Sequence, residues 1–276
     1  MIMKKKIWTF LAICFGISYA AAALFHFLGG SYDSPWGMLF ASCYMLVPMV
    51  SVILTQLICK ERVFSGCGIS FKVDKWWFVA WLVMPVFCLL AMFASALIPG
   101  VELTTEGELL QQSLEKMPVG PWGALGITVV SGLVAGATVN AVFAFGEEVA
   151  WRGFLHGCLA DCSLLKKSLI IGFIWGIWHA PLILMGHNYP DHPVAGVGMM
   201  VLFCMLLTPV LIRFREKSGS VVVAAIAHGT MNACAGVSLV YLAGYNDLLC
   251  GPAGLAGLVV LLLSDIIVFA MKKPKR

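Results

Sequence analysis

Charge is what this chain has least of. Asp, Glu, Lys and Arg make up 12% of its 276 residues, about half the ~25% usual in a soluble domain. Hydrophobic side chains make up 61%, and mean hydropathy is +0.94, more apolar surface than one aqueous core can bury. A soluble globular enzyme is excluded on that ground. So are a coiled coil and a disordered tail, which could not leave such surface in water. A basic stripe is also missing: the 18 Lys and Arg residues stand in short clusters between apolar runs. Nothing tracks a phosphate backbone, and no nucleic-acid partner is expected. The ten cysteines imply no disulfide scaffold, because Cys14, Cys43, Cys88, Cys204 and Cys234 fall inside apolar runs, where a thiol acts as a small hydrophobe. Cys158 and Cys162 have the spacing of one helical turn, but no second pair stands nearby to complete a metal site.

What is present is a series of apolar runs. A membrane-crossing helix needs about 20 mostly apolar residues, and eight stretches fit: 7–28, 38–58, 76–98, 122–145, 168–185, 194–212, 221–242 and 252–270. The first is too long for the apolar core of a signal peptide and is expected to remain as a span. The expected fold is all-α, a polytopic bundle of about eight transmembrane helices in a lipid bilayer. Eight crossings bring both ends of the chain to one side. Alternate connecting segments then collect 17 of the 18 basic residues, leaving only Lys116 opposite, among Glu102, Glu106, Glu108 and Glu115. Positive charge favours the cytoplasmic side, so both termini are expected there. In the long outer segment 99–121, Thr105 and Glu108 have capping-box spacing, and Leu110, Leu114 and Met117 recur at helical spacing. A short amphipathic helix is expected there, with an irregular acidic loop as the alternative. Trp36, Trp76, Trp77 and Trp122 stand near span ends, as interfacial anchors do.

Ionisable groups at membrane depth are costly and usually functional. Those that loops cannot explain are few: Glu147 and Glu148 ending the fourth run, His179 in the fifth, His228 with Asn232 in the seventh, and Arg152 one turn beyond the glutamates. Residues four apart share a helix face, so Glu148 and Arg152 can pair while Glu147 points elsewhere, on the face of Asn140. The same spacing aims His228 and Asn232 at a common point, as an oxyanion requires. Gly132 with Gly136, and Gly172 with Gly176, permit close helix approach. Any one of these groups alone reads as a polar contact between helices. Together, on three helices of a chain almost free of buried charge, they read as a hydrolytic site.

The residues also carry a family resemblance. Glu147-Glu148-Val149-Ala150-Trp151-Arg152-Gly153 resembles the E-E-x-x-x-R-G motif of the CAAX protease and bacteriocin-processing (CPBP) family of intramembrane endopeptidases. Trp175-Gly176-Ile177-Trp178-His179 is similar to the second motif, F-x-x-x-H, with tryptophan in place of phenylalanine. His228-Gly229-Thr230-Met231-Asn232 matches the third, H-x-x-x-N. The resemblance covers roughly 122–242. It implies that Glu147 with His179 activates a water, that His228 and Asn232 stabilise the oxyanion of a peptide bond, and that Glu148 and Arg152 support them. The implied substrate is a membrane-associated peptide or protein; eukaryotic relatives trim prenylated CAAX proteins, and nothing in this sequence shows that its own substrate is prenylated.

Residues 1–121 would then hold three spans and the outer acidic loop, 122–242 the catalytic core, and 243–276 the last span and a basic tail. No cofactor is expected. Zinc is the alternative, since two histidines and a glutamate can hold it with water, although no H-E-x-x-H is present. There is also no G-x-S-x-G, and Asp161, Asp191 and Asp247 lie in loops and not in facing spans. Two other functions remain: a non-catalytic membrane adaptor or immunity protein acting on a sensor or toxin, and a proton-coupled transporter, whose inverted repeat is not visible. His26, His156, His187 and His192 receive no role, the last two lying in an outer loop. Asp265 in the last span reads as a helix contact or as a group reaching interfacial water. At 1.5 Å per residue, His228 lies about 10 Å and His179 about 17 Å from the basic side, while Glu147 falls near its boundary. For these to meet, the fourth helix is expected to continue to about Cys158 and to place Glu147 in a funnel open to the cytoplasm.

Overall fold

The computed structural model describes residues 2–271 except 33, 108, 109, 112, 113 and 115–118. It is helical almost throughout. On length and composition, five helices can cross a membrane: Met3–Phe27, Trp36–Ile58, Lys75–Ser95, Pro193–Ser218 and Val221–Val240. Pro121–Ala137 with Val139–Cys158, bent by 48°, supplies a sixth when taken as one broken span. The two remaining apolar runs are shorter helices, Leu164–Trp178 followed by Ala180–Leu184, and Leu255–Ala270. The protein is an all-α integral membrane protein. Its lipid-facing side chains, among them Leu24, Val86, Val134 and Ile266, are exposed, as expected where the solvent is hydrocarbon. All ten cysteines are free.

The fifth run is shorter than hydropathy suggests because Pro181 has no N–H to give to the carbonyl four residues back. Tyr19 Oη from the first helix donates to the Ile177 carbonyl at 2.7 Å, and Tyr44 Oη donates to that of Trp178 at 3.0 Å. Two carbonyls freed at membrane depth are thus satisfied by neighbouring spans. The break leaves His179 at the end of its helix.

The fourth run behaves in the opposite way and continues to Cys158, by way of a π-helical stretch, Val149–Leu155, and a last turn, His156–Cys158. Its bend falls at Thr138 (φ −117°, ψ −97°). Before the bend, Trp122, Ile127, Val130 and Val134 face outward; every residue of 146–155 is buried. Leu159 caps the helix and Cys162 lies beyond it, so Cys158 and Cys162 do not share a helix.

Glycines let these helices meet at backbone distance. A Cβ on Gly229 would lie 2.5 Å from Ala141 N, and one on Gly136 would fall on the backbone of Thr230. Gly172 and Gly176 meet Met205 and Val201 of the sixth span in the same way. The seventh and fourth spans, and the fifth and sixth, are therefore in close register around the polar residues.

On the side away from the basic loops, Glu102–Leu103 and Leu242–Ala243 form a two-residue antiparallel ladder. Met92, Leu110, Ala124, Tyr241 and Cys250 pack a small cluster beside it. Leu110, Gln111 and Leu114 are helical, while Glu108 and Met117 lie outside the described residues, so only part of the expected amphipathic helix can be followed. Trp36 and Trp122 are exposed near span ends, whereas Trp76 and Trp77 pack partly against the core.

Candidate active site

The broken fifth helix, the π-helical end of the fourth and the middle of the seventh meet around a cavity of about 600 Å³. Glu147, His179, His228 and Asn232 all line it, together with Trp175, Trp178 and Cys204. Glu147 and His228 are buried, His179 is half-buried and Asn232 is exposed to the cavity. The structure therefore brings together the four residues singled out in the sequence.

Two indole N–H groups hold the Glu147 carboxylate. Trp175 Nε1 donates to Oε2 at 2.6 Å and Trp151 Nε1 to the same oxygen at 3.3 Å. Oε1 makes no hydrogen bond among the described residues, so one oxygen is anchored and the other remains for chemistry. Sequence reasoning missed both donors. The signal was present in the second motif, where tryptophan stands in place of phenylalanine and brings an N–H that must find a partner when buried.

Glu148 and Arg152 form the expected pair, Nη1 to Oε1 at 2.9 Å with both side chains fully buried. The π-helical turn still allows that i,i+4 contact and buries seven consecutive residues, as π-turns often do at functional sites. Arg152 Nη2 also donates to Thr208 Oγ1 at 3.0 Å, and the guanidinium lies 4.1 Å from the Trp175 ring centre. His228 Nδ1 stands 2.9 Å from Glu148 Oε1, a contact across 80 residues that the sequence did not reveal. Glu148 therefore bridges Arg152 and His228.

Both imidazoles are fixed through Nδ1. The Trp175 carbonyl, 2.8 Å from His179 Nδ1, can only accept, so Nδ1 carries a proton and Nε2 of the neutral ring has a free lone pair. His228 donates through Nδ1 to a carboxylate in the same way. For its Nε2 to donate as well, the ring must carry both protons, with Glu148 as the counter-charge. Among the described residues no three His, Cys, Asp or Glu side chains are arranged to hold a metal ion.

Gly186, His187, Asn188, Pro190, Tyr245 and residues 250–254, from the end of the bundle opposite the basic loops, also line the cavity, as do Met38, Ala41, Ser42 and Met45 of the second span. No residue of 59–74, 159–167 or 213–220 lines it. The expected funnel has no lining residue in those loops, and the fourth helix, continuing to Cys158, fills that end with the buried residues 146–155. His187, given no role in the sequence because it lies in an outer loop, and Asp247, set aside as a loop residue, both line the cavity.

A family model for type II CAAX prenyl endopeptidases, Rce1-like, matches residues 129–234. That stretch, less than half of the chain, is similar to the type II CAAX prenyl endopeptidase family. A curated relative, CAAX prenyl protease 2 of Methanococcus maripaludis, is 41% identical over 44 residues, which is 16% of this chain and 16% of that protein. The CAAX-protease match spans the three motifs and all six residues described above.

Proposed function

We propose that this protein is an intramembrane endopeptidase that hydrolyses a peptide bond in a membrane-associated peptide or protein. The observation that carries the reading is the Glu147 carboxylate, pinned through one oxygen by Trp175 and Trp151, on the wall of a cavity shared with His179, His228 and Asn232. Glu147 Oε1 and the bare Nε2 of His179 are both acceptors, suited to orient a water and take its proton. Asn232, through its amide N–H, and His228, when its Nε2 carries a proton, can donate to the oxyanion formed when that water adds to the carbonyl. The proton then passes to the leaving amine as the C–N bond breaks. Substrate identity is not fixed by these groups, and prenylation is not required by any of them.

The test is cleavage by protein purified in detergent, presented with a mixture of membrane-anchored peptides, with and without chelator. Activity should survive chelation and fall at least 100-fold in Glu147→Gln. Equal cleavage by Glu147→Gln would remove the proposed base. A cellular phenotype that persists in Glu147→Ala, at matched membrane abundance, would favour an adaptor.

A further inference from the structure

We infer that a groove between the third, fourth and seventh spans holds a hydrocarbon chain of an anionic phospholipid, whose headgroup rests against Lys72 and Lys75. The groove shares no lining residue with the cavity that contains Glu147, so the site stands whether or not the protein is a protease.

The bend in the fourth span produces the groove. Before the bend the third and fourth spans touch, and Trp81 Nε1 donates to the Leu133 carbonyl at 2.8 Å. The fourth span then turns by 48° at Thr138, and one turn nearer the basic end, at Trp77, the two spans flank a space of about 630 Å³. That volume is within the range of ligand-binding clefts. Phe71 and Trp77 line it from the third span and the loop before it, Val139, Val142 and Phe145 from the fourth, and Val222, Ala225 and Ile226 from the seventh. Phe71, Val139 and Val142 are exposed, whereas Ala225 and Ile226 are buried, so the groove faces the surrounding lipid and the seventh span forms its floor.

The lining suits hydrocarbon and little else. Its only side-chain donors are the Thr138 hydroxyl and the Trp77 indole N–H, and both are engaged: Thr138 Oγ1 donates to the Val134 carbonyl at 2.6 Å and Trp77 Nε1 to the Lys72 carbonyl at 3.0 Å. A polar ligand seated there would give up hydrogen bonds to water without replacement; a lipid tail has none to lose. The loop that carries Phe71 is stitched to the start of the seventh span. Val221 N–H donates to the Gly68 carbonyl at 3.0 Å, and Ser220 Oγ donates to the Ser70 carbonyl. Phe71 is thereby fixed at the edge of the groove.

Charge selects the headgroup. Lys72 follows Phe71 in the chain, Lys75 stands two residues before Trp77, and both lysines are exposed. Lys75 Nζ lies 5.7 Å from the centre of the Trp76 ring. Asp74 stands between them and caps the third span, its Oδ1 accepting from the Trp76 N–H at 2.9 Å, so one net positive charge remains in this segment. Each such charge beside an anionic lipid headgroup raises affinity about five-fold. A tail in the groove packs against the two helices that carry Glu147 and His228, so the lipid also braces the bent span.

The test titrates the full chain, delipidated in a neutral detergent, with phosphatidylglycerol and separately with phosphatidylcholine of the same tails. Bound lipid is counted by native mass spectrometry, and the thermal midpoint is followed alongside. The wild type should bind phosphatidylglycerol about five-fold more tightly than phosphatidylcholine, with a midpoint that rises as the site fills. Lys72→Gln combined with Lys75→Gln should remove the preference and leave phosphatidylcholine binding as it was. Val142→Trp, at a position 65% exposed, should fill the groove and abolish binding of both lipids while its lipid-free midpoint matches that of the wild type. Should that variant fail to fold, Val139→Trp, 61% exposed beside the same groove, takes its place. Equal affinity for the two lipids, or a preference that survives the double lysine variant, overturns the inference. So does undiminished binding in the groove-filling variant, which would put the lipid elsewhere. Stabilisation by farnesol and not by phosphatidylglycerol would give the groove to a free isoprenoid, and a polypeptide that copurifies until Val142→Trp displaces it would give it to a partner helix; either result also overturns the inference.

Discussion

At Trp175 one side chain meets the other groups of the site. Its N–H holds Glu147, its carbonyl holds His179, its ring lies against the Arg152 guanidinium, and its edge is 5.2 Å between ring centres from His228. Trp175→Phe keeps the packing and removes only the donor. A hydrogen bond to a charged group is worth about 1.5–3 kcal/mol, so kcat is expected to fall about ten- to a hundred-fold with KM little changed; a kcat equal to wild type would show that Trp151 alone positions the carboxylate. Arg152 acts differently. Replacing it with Ala strands the buried Glu148 carboxylate, at a cost of about 3–5 kcal/mol, and should lower both the thermal midpoint in detergent and the folded yield. An unchanged midpoint would mean that Glu148 finds another partner. The motif residues themselves were legible because carboxylates, imidazoles and a carboxamide stand out in a chain so poor in polar groups. Their hydrogen-bond partners were not, since the Trp175–Glu147 and His228–Glu148 contacts join positions 28 and 80 residues apart.

The helices that hold these side chains are as informative for where they break as for where they run. Hydropathy located all eight apolar runs, because lipid-facing surface is a property of composition alone. It did not show that Pro181 ends the fifth helix at the site, nor that the fourth bends at Thr138 and finishes with a π-helical stretch. Such features arise from which carbonyls neighbouring spans can satisfy, and periodicity carries no record of that. Spacing did require the fourth helix to reach about Cys158 if Glu147 was to meet the histidines, and it does. The contact between the fourth and seventh spans depends on Gly229, whose missing Cβ admits the backbone of Asn140 and Ala141. Gly229→Val should force these helices apart, with about 1–3 kcal/mol of overpacking. The expected readout is a lower thermal midpoint together with loss of activity, as the neighbouring His228 leaves Glu148. Retained stability and activity would show that the spans can separate without disturbing the site.

For the molecule as a whole, the chain forms a helical bundle with Glu147, His179, His228 and Asn232 gathered on the wall of one cavity. The resemblance to CAAX proteases and the all-helical membrane architecture were legible in the sequence. The rest of the cavity lining was not, because it comes from loops far apart in the chain, 186–190 and 245–254. The central claim is that Glu147, His179, His228 and Asn232 act as one hydrolytic centre. It is tested most directly by the cleavage rates of the four single Ala variants and of their double combinations on one identified substrate, at matched folded concentration. Groups that work as a unit give strongly non-additive losses, so each double variant should be little slower than its slower parent. Losses that multiply across pairs, or any of the four variants cleaving at the wild-type rate, would contradict it.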